Sequence, residues 1–98
     1  MRSVEVTRKA ESDLIDIWLY TFETWGAAQA DRYVDQLGAA MDYLAQHPSM
    51  GVDYGHVLPD YRKFRIAHHD IFCRLLDTKI LVVRVLHEDM DAPRRLME

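Results

Sequence analysis

Three arginines set in strand-forming runs, and the histidine that closes one of them, are the residues whose types and spacing could do chemistry. Arg65, Arg74 and Arg84 each interrupt an apolar stretch, and His87 ends the run Lys79–His87 (KILVVRVLH). Guanidinium groups grip phosphate through paired N–H donors. An imidazole titrates near neutrality and can give or take a proton. Cleavage of an RNA phosphodiester would need these groups: a base for the 2′-hydroxyl, cations for the phosphate and an acid for the leaving oxygen. The residues after His87 argue against it. Glu88, Asp89 and Asp91 set three carboxylates beside the imidazole, and these repel a polyanion. His87 is therefore expected to be a strand-end histidine bonded to backbone or to a nearby carboxylate. Arg84 lies within the apolar run, so it needs a buried partner, and Asp70 and Asp77 are the candidates. Arg65 and Arg74 are expected to line an open sheet face.

Other chemistries are weaker. His68 and His69 are adjacent, which sends their side chains to opposite faces of a strand. His47, His56 and His87 have no metal-ligand spacing. No metal site and no cofactor is expected. Cys73, the only cysteine, falls within a strand and is expected to behave as a small buried hydrophobe rather than a nucleophile.

The elements that must position these residues follow from periodicity. Ser3–Thr7 (SVEVT) alternates, with Val4 and Val6 on one face, and predicts a short strand. Thr7 suits a helix N-cap. From Arg8 to Trp25 one line of residues (Leu14, Ile17, Trp18, Thr21, Trp25) marks a core-facing stripe. A second line (Ile15, Leu19, Phe22) makes the helix apolar over more than one contact needs. Gly26 stops it. A second helix runs to about Gln46 with the stripe Ala30, Tyr33, Val34, Leu37, Met41 and Leu44, and the small residues Gly38, Ala39 and Ala40 are expected to let the helices approach. His47-Pro48 ends it. Residues 51–60 read as a loop. Tyr61–Ala67, Ile71–Leu76 and Lys79–His87 predict an antiparallel meander. Beyond His87 the tail, stopped by Pro93, is expected to stay free to reach a partner.

The order β-α-α-β-β-β predicts one α+β domain over residues 1–98, an antiparallel sheet with an αα-hairpin packed on one face. If the hairpin returns the chain to the end of the first strand, that strand pairs antiparallel with its neighbour. The net charge of −4 argues against nonspecific nucleic-acid binding. It hides an asymmetry. Residues 1–60 carry four Lys/Arg against ten Asp/Glu, whereas residues 61–98 carry eight against six. The sheet half is thus the half fitted to an anionic partner. One cysteine, no apolar run of membrane length and no signal-peptide core predict a cytoplasmic protein with no membrane contact.

The ordered set Leu14-x-x-Ile17-Trp18-x-Tyr20, Trp25-Gly26, Leu44-Ala45-x-His47-Pro48-x-x-Gly51, Tyr61-Arg62-Lys63, His69-x-Ile71-Phe72-x-Arg74 and Val83-Arg84-Val85-Leu86-His87-x-x-Met90-Asp91 resembles the ParE toxins of the ParE/RelE superfamily, nearly end to end. Two positions depart from the pattern. Ala67-His68 stands where a glycine and a small polar residue are usual, and Cys73 stands where an aromatic is common. The resemblance implies the toxin half of a type II toxin–antitoxin pair. Such a toxin inhibits DNA gyrase and is neutralised by the C-terminal segment of a ParD-like antitoxin. It meets operator DNA only through that antitoxin. Ile15, Trp18, Leu19 and Phe22, with Arg65 and Arg74, are the expected antitoxin contacts. His87, Met90, Arg94, Arg95 and Leu96 are the expected target contacts, with no catalytic residue. The alternatives are a RelE-like ribosome-dependent mRNA endonuclease and a non-toxic antitoxin-binding module. RelE-like nucleases typically carry an aromatic acid–base residue in the tail, and residues 88–98 contain no tyrosine.

Overall fold

The computed structural model describes residues 2–98. Strand β1 (Ser3–Val6) leads into helices α1 (Arg8–Trp25) and α2 (Ala27–Gln46). After a 3-10 turn at Pro48–Met50 come β2 (Val52–Asp53), β3 (Tyr61–Ile66), β4 (His69–Leu75), β5 (Lys79–His87) and a final short helix α3 (Ala92–Leu96). Thr7 starts α1 by accepting a hydrogen bond from the Ala10 amide at 3.1 Å, and its own hydroxyl donates to the Val83 carbonyl at 2.8 Å. One side chain thereby caps the helix and fixes it to β5. Gly26 joins the helices alone, at φ +91°, a left-handed conformation costly for any residue with a Cβ.

The α+β architecture with a helix hairpin on one face is as expected, but the sheet is mixed. Its order is β1-β5-β4-β3-β2, and β1 runs parallel to β5, with Ser3 opposite Lys79 and Val6 opposite Val82. The expected antiparallel pairing of β1 is corrected by a strand that residues 51–60 conceal. Val52 and Asp53 pair antiparallel with Lys63 and Arg62. That extra reversal flips the direction of every later strand. Gly51 permits it, because a Cβ there would stand 3.2 Å from the Cβ of Arg62, whose guanidinium donates to the Gly51 carbonyl.

Two clusters fill the sheet's faces. Between sheet and helices, Ala10, Ile17, Leu37, Met41 and Leu44 pack on Ile71, Ile80, Val82 and Val85, each large aliphatic contributing about 1.5–3 kcal/mol by leaving water. Val82 and Val85 reach the same face because Phe72 pairs with Arg84 while Cys73 pairs with Val82, leaving Val83 as the extra residue of a bulge. Arg84 then shares the opposite face with Leu86. On that face Tyr54, Phe72 and Leu86 form a second cluster, closed by Val57, Tyr61, Ala92 and Leu96. The face expected to be open is thus partly roofed, by the 51–60 segment and by α3.

Candidate functional site

Helix α1 buries only one of its two apolar lines. Ile17 and Thr21 face the core, while Ile15, Leu19 and Phe22 are 60%, 46% and 45% exposed. Trp18 sits between, half-buried, stacked on Phe22 with ring centroids 5.1 Å apart and donating from its indole to Asp31 of α2 at 2.8 Å. That bond to α2 holds the indole so that Phe22 is presented rather than folded in. The four residues expected to meet an antitoxin are therefore brought together on the solvent side of the hairpin. Tyr20 and Trp25 are exposed as well, and Trp25 corrects its placement on the core stripe. It is the last residue of α1, where the chain already turns into α2 and no other element covers it. Ile15, Trp18, Leu19 and Phe22 thus lie along one strip of α1, whereas Tyr20, about 140° round the helix from Ile15, is exposed on the other flank.

The sheet-face half of the expected antitoxin site is split. Arg65 and Asp70, directly opposite each other in β3 and β4, form a two-bond pair with both contacts at 3.0 Å. Glu88 lies 3.7 Å from the same guanidinium, and the Asp70 bond raises the pKa of Arg65 further. Arg65 is thus engaged rather than waiting. Arg74, opposite Tyr61 and Leu81, has no ion-pair partner among the described residues. The α1 face and this sheet face are on opposite sides of a molecule 21 Å across its thinnest axis.

Arg84 corrects the expected pairing with Asp70 or Asp77. Its partner is Asp13 of α1: Nε donates to Oδ2 at 2.8 Å and Nη2 to Oδ1 at 3.0 Å. Asp13 Oδ2 also accepts from the Val85 amide at 2.9 Å. That amide lies past the end of β1, so the strand's edge is completed by a helix side chain. No periodicity rule reports such a contact. The only signal was an acidic residue on the flank of α1 away from Ile15.

The tail is docked, not free. Asp91 caps α3 by accepting from the Arg94 amide, and Ala92 and Leu96 pack on the second cluster. Leu96, expected to be available to a target, is half-buried there. Arg94 and Arg95 of α3 remain exposed, as does Met90 in the turn before it. His87, at the root of the tail, accepts from the Asp89 amide through Nδ1 at 3.1 Å, which is the backbone bond expected of a strand-end histidine.

Around His87 the structure gathers groups that the sequence kept apart. His69 stands edge-on to it at 5.2 Å between ring centroids, and His68, in the β3–β4 turn, pairs with Glu88. The Tyr33 hydroxyl of α2 is 2.6 Å from His69 Nδ1 and 3.3 Å from the Ile66 carbonyl. The arrangement that satisfies both has Tyr33 donating to the carbonyl and His69 donating to Tyr33. Burial, then repulsion from His87 and His68, lowers the His69 pKa to about 4, so it is neutral near pH 7. Burial likewise pushes the Cys73 thiol to about 11, which leaves it protonated and unreactive. Among the described residues no group of three or more His, Cys, Asp or Glu is arranged to hold a metal ion, and no helix is long and apolar enough to cross a membrane.

Comparison with known proteins bears on the family and the fold. The family profile described as "ParE toxin of type II toxin-antitoxin system, parDE" matches residues 4–92. The chain is 34% identical to toxin ParE1 of Caulobacter vibrioides, over 98% of this chain and 99% of that protein. It is 39% identical to toxin ParE1 of Mycobacterium tuberculosis, over 89% and 90%, and 37% identical to toxin ParE of Escherichia coli, over 100% and 96%. A solved structure titled "Chromosomal ParDE TA system from P. aeruginosa" superposes with a TM-score of 0.75, covering 89% of this chain and 96% of its own, at 22% identity. That likeness supports the fold.

Proposed function

This chain belongs to the ParE toxin family of type II toxin–antitoxin systems, and from that premise we propose that it inhibits DNA gyrase by binding and is silenced by a ParD-like antitoxin. The observation that carries the reading is the spare apolar face of α1. Ile15, Leu19 and Phe22 contribute nothing to the fold's own core, and an amphipathic partner helix engages such a face through anchors at i, i+4 and i+7. An antitoxin segment that covers this face and also reaches Arg74 must wrap the molecule's edge.

Binding rather than catalysis is favoured by how the nuclease-like groups are spent. Arg84 is held by Asp13 and Arg65 by Asp70, His69 is held by Tyr33, and His87 Nδ1 is occupied by a backbone amide. A phosphodiester reaching Arg84, Arg65 or His69 would have to displace an internal bond at each. Of Arg65, Arg74 and Arg84, that leaves Arg74 as the one without an ion-pair partner among the described residues. The test is expression without antitoxin. Growth should stop with DNA broken or supercoiling lost while mRNA stays intact. Selective loss of mRNA on translating ribosomes would overturn the reading in favour of the ribonuclease, and normal growth would overturn it in favour of an antitoxin-binding module.

A further inference from the structure

We infer that Arg84, oriented by Asp13, is a positioning residue for the C-terminal helix: it ties α3 to α1 and β5 and so fixes the place of Arg94 and Arg95. The inference rests on the reading of the tail as the target-facing segment, and it names what holds that segment in place.

Arg84 is the one buried cation among the described residues, at 8% exposure. It touches three elements. Two of its nitrogens form the fork with Asp13 in α1. The third, Nη1, donates to the Arg95 carbonyl of α3 at 3.1 Å and lies 3.5 Å from Glu98 Oε1. The guanidinium itself projects from β5. A planar fork has little freedom once two of its edges are engaged, so the Asp13 pair determines where Nη1 points. Asp13 is itself fixed by the Val85 amide. The placement of α1 along β5 is thereby passed to α3 through a single rigid group.

Helix α3 needs this. Five residues are far too few for a helix to persist in water. Its apolar hold is only Ala92 and Leu96 on Tyr54, Phe72 and Leu86. Its first turn has the Asp91 cap and Pro93, whereas Arg84 supplies the cation at the carbonyl end, where the helix dipole favours one. Lys9 of α1 adds an exposed bond to the Glu98 carbonyl. Without Arg84 the carbonyl end loses its buried anchor, and the outward-facing Arg94 and Arg95 lose their common frame.

The experiment uses the full chain carrying Asp13→Asn together with Arg84→Gln. This neutral pair removes the guanidinium without stranding a buried charge. The expected result is amide exchange at residues 94–98 faster by roughly tenfold or more, with β3–β5 exchanging as before and thermal unfolding still cooperative. Gyrase inhibition should weaken by about tenfold in the same variant. Unchanged exchange at residues 94–98 overturns the inference. If the double variant does not fold, Arg84→Lys is read in the same way, because it keeps the charge but can no longer hold both Asp13 edges and Arg95. If the unsubstituted protein leaves gyrase untouched, the target reading fails. The exchange result still decides whether Arg84 positions the helix.

Discussion

At the scale of single residues, the structure holds two groups in states their chemistry resists. Ala67 opens the two-residue β3–β4 turn at φ +51°, where a Cβ is strained. The resemblance to the ParE toxins already marked this position, since it implies a glycine there. Ala67→Gly should therefore stabilise the fold by about 0.5–1 kcal/mol, read as a higher denaturation midpoint with unchanged slope. A midpoint that falls would show that the turn is not strained. His69 is the second. It faces Tyr33 from α2, His68 and Asp70 from its own hairpin, and His87 and Glu88 from the end of β5. Its folded pKa of about 4 lies below its ordinary 6.5. The folded state thus binds this proton less readily than the unfolded chain, and the stability tied to neutral His69 is full above pH 6.5 and lost as pH falls toward 4. The loss is about 1–2 kcal/mol after discounting for the ring's half-exposed setting. His69→Gln should flatten that limb of the pH–stability curve, and an equally steep limb in the variant would assign it to other groups. Neither the Tyr33–His69 bond nor the Arg84–Asp13 fork was legible in the sequence. Each joins residues far apart in the chain, and no local pattern encodes which carboxylate or hydroxyl a buried group will meet.

At the scale of elements, the helices were legible almost to the residue. Thr7 and Gly26 punctuate them, and their two-sided periodicity is strong. Gly38 departs from what its size suggested. Nothing comes within 4 Å of a Cβ built there, so it does not serve close helix approach and merely weakens α2. Gly38→Ala should add about 0.5–1 kcal/mol, and a destabilised variant would contradict the open space. The surplus line of α1 was also readable, because an amphipathic helix needs only one stripe. Phe22→Asp or Leu19→Asp should leave the melting temperature nearly unchanged. Either should weaken the cognate antitoxin by about 2–3 kcal/mol, roughly 30- to 150-fold in Kd. Full affinity in both variants would remove α1 from the antitoxin surface. Two elements were not legible. β2 is only two residues long and flanked by turn residues, too short for an alternation to show. α3 is helical only because it docks, and docking depends on Tyr54 folding back across Phe72, which no stretch near the tail announces.

At the scale of the whole molecule, the one misread strand changed the direction of β3–β5 relative to β1 but not the layers. β1 therefore lies beside β5 and brings α1 within reach of Arg84. The charge asymmetry became a geometric one, an acidic helix hairpin with an apolar stripe on one side and a sheet with basic side chains on the other. On the sheet side the cations are unequal. Arg65 is consumed by Asp70, so Arg65→Glu would also break a structural pair, whereas Arg74→Glu tests the surface alone. It should weaken antitoxin affinity by about 1 kcal/mol, less than the α1 substitutions, and an unchanged affinity would confine the antitoxin to the hairpin. The central claim, that this toxin acts by binding gyrase, is tested most directly with purified toxin, gyrase and plasmid DNA, scoring supercoiling and trapped linear DNA. The account predicts loss of supercoiling with linear DNA accumulating, and recovery when the cognate antitoxin is added. Undiminished supercoiling at a large excess of folded toxin would contradict it.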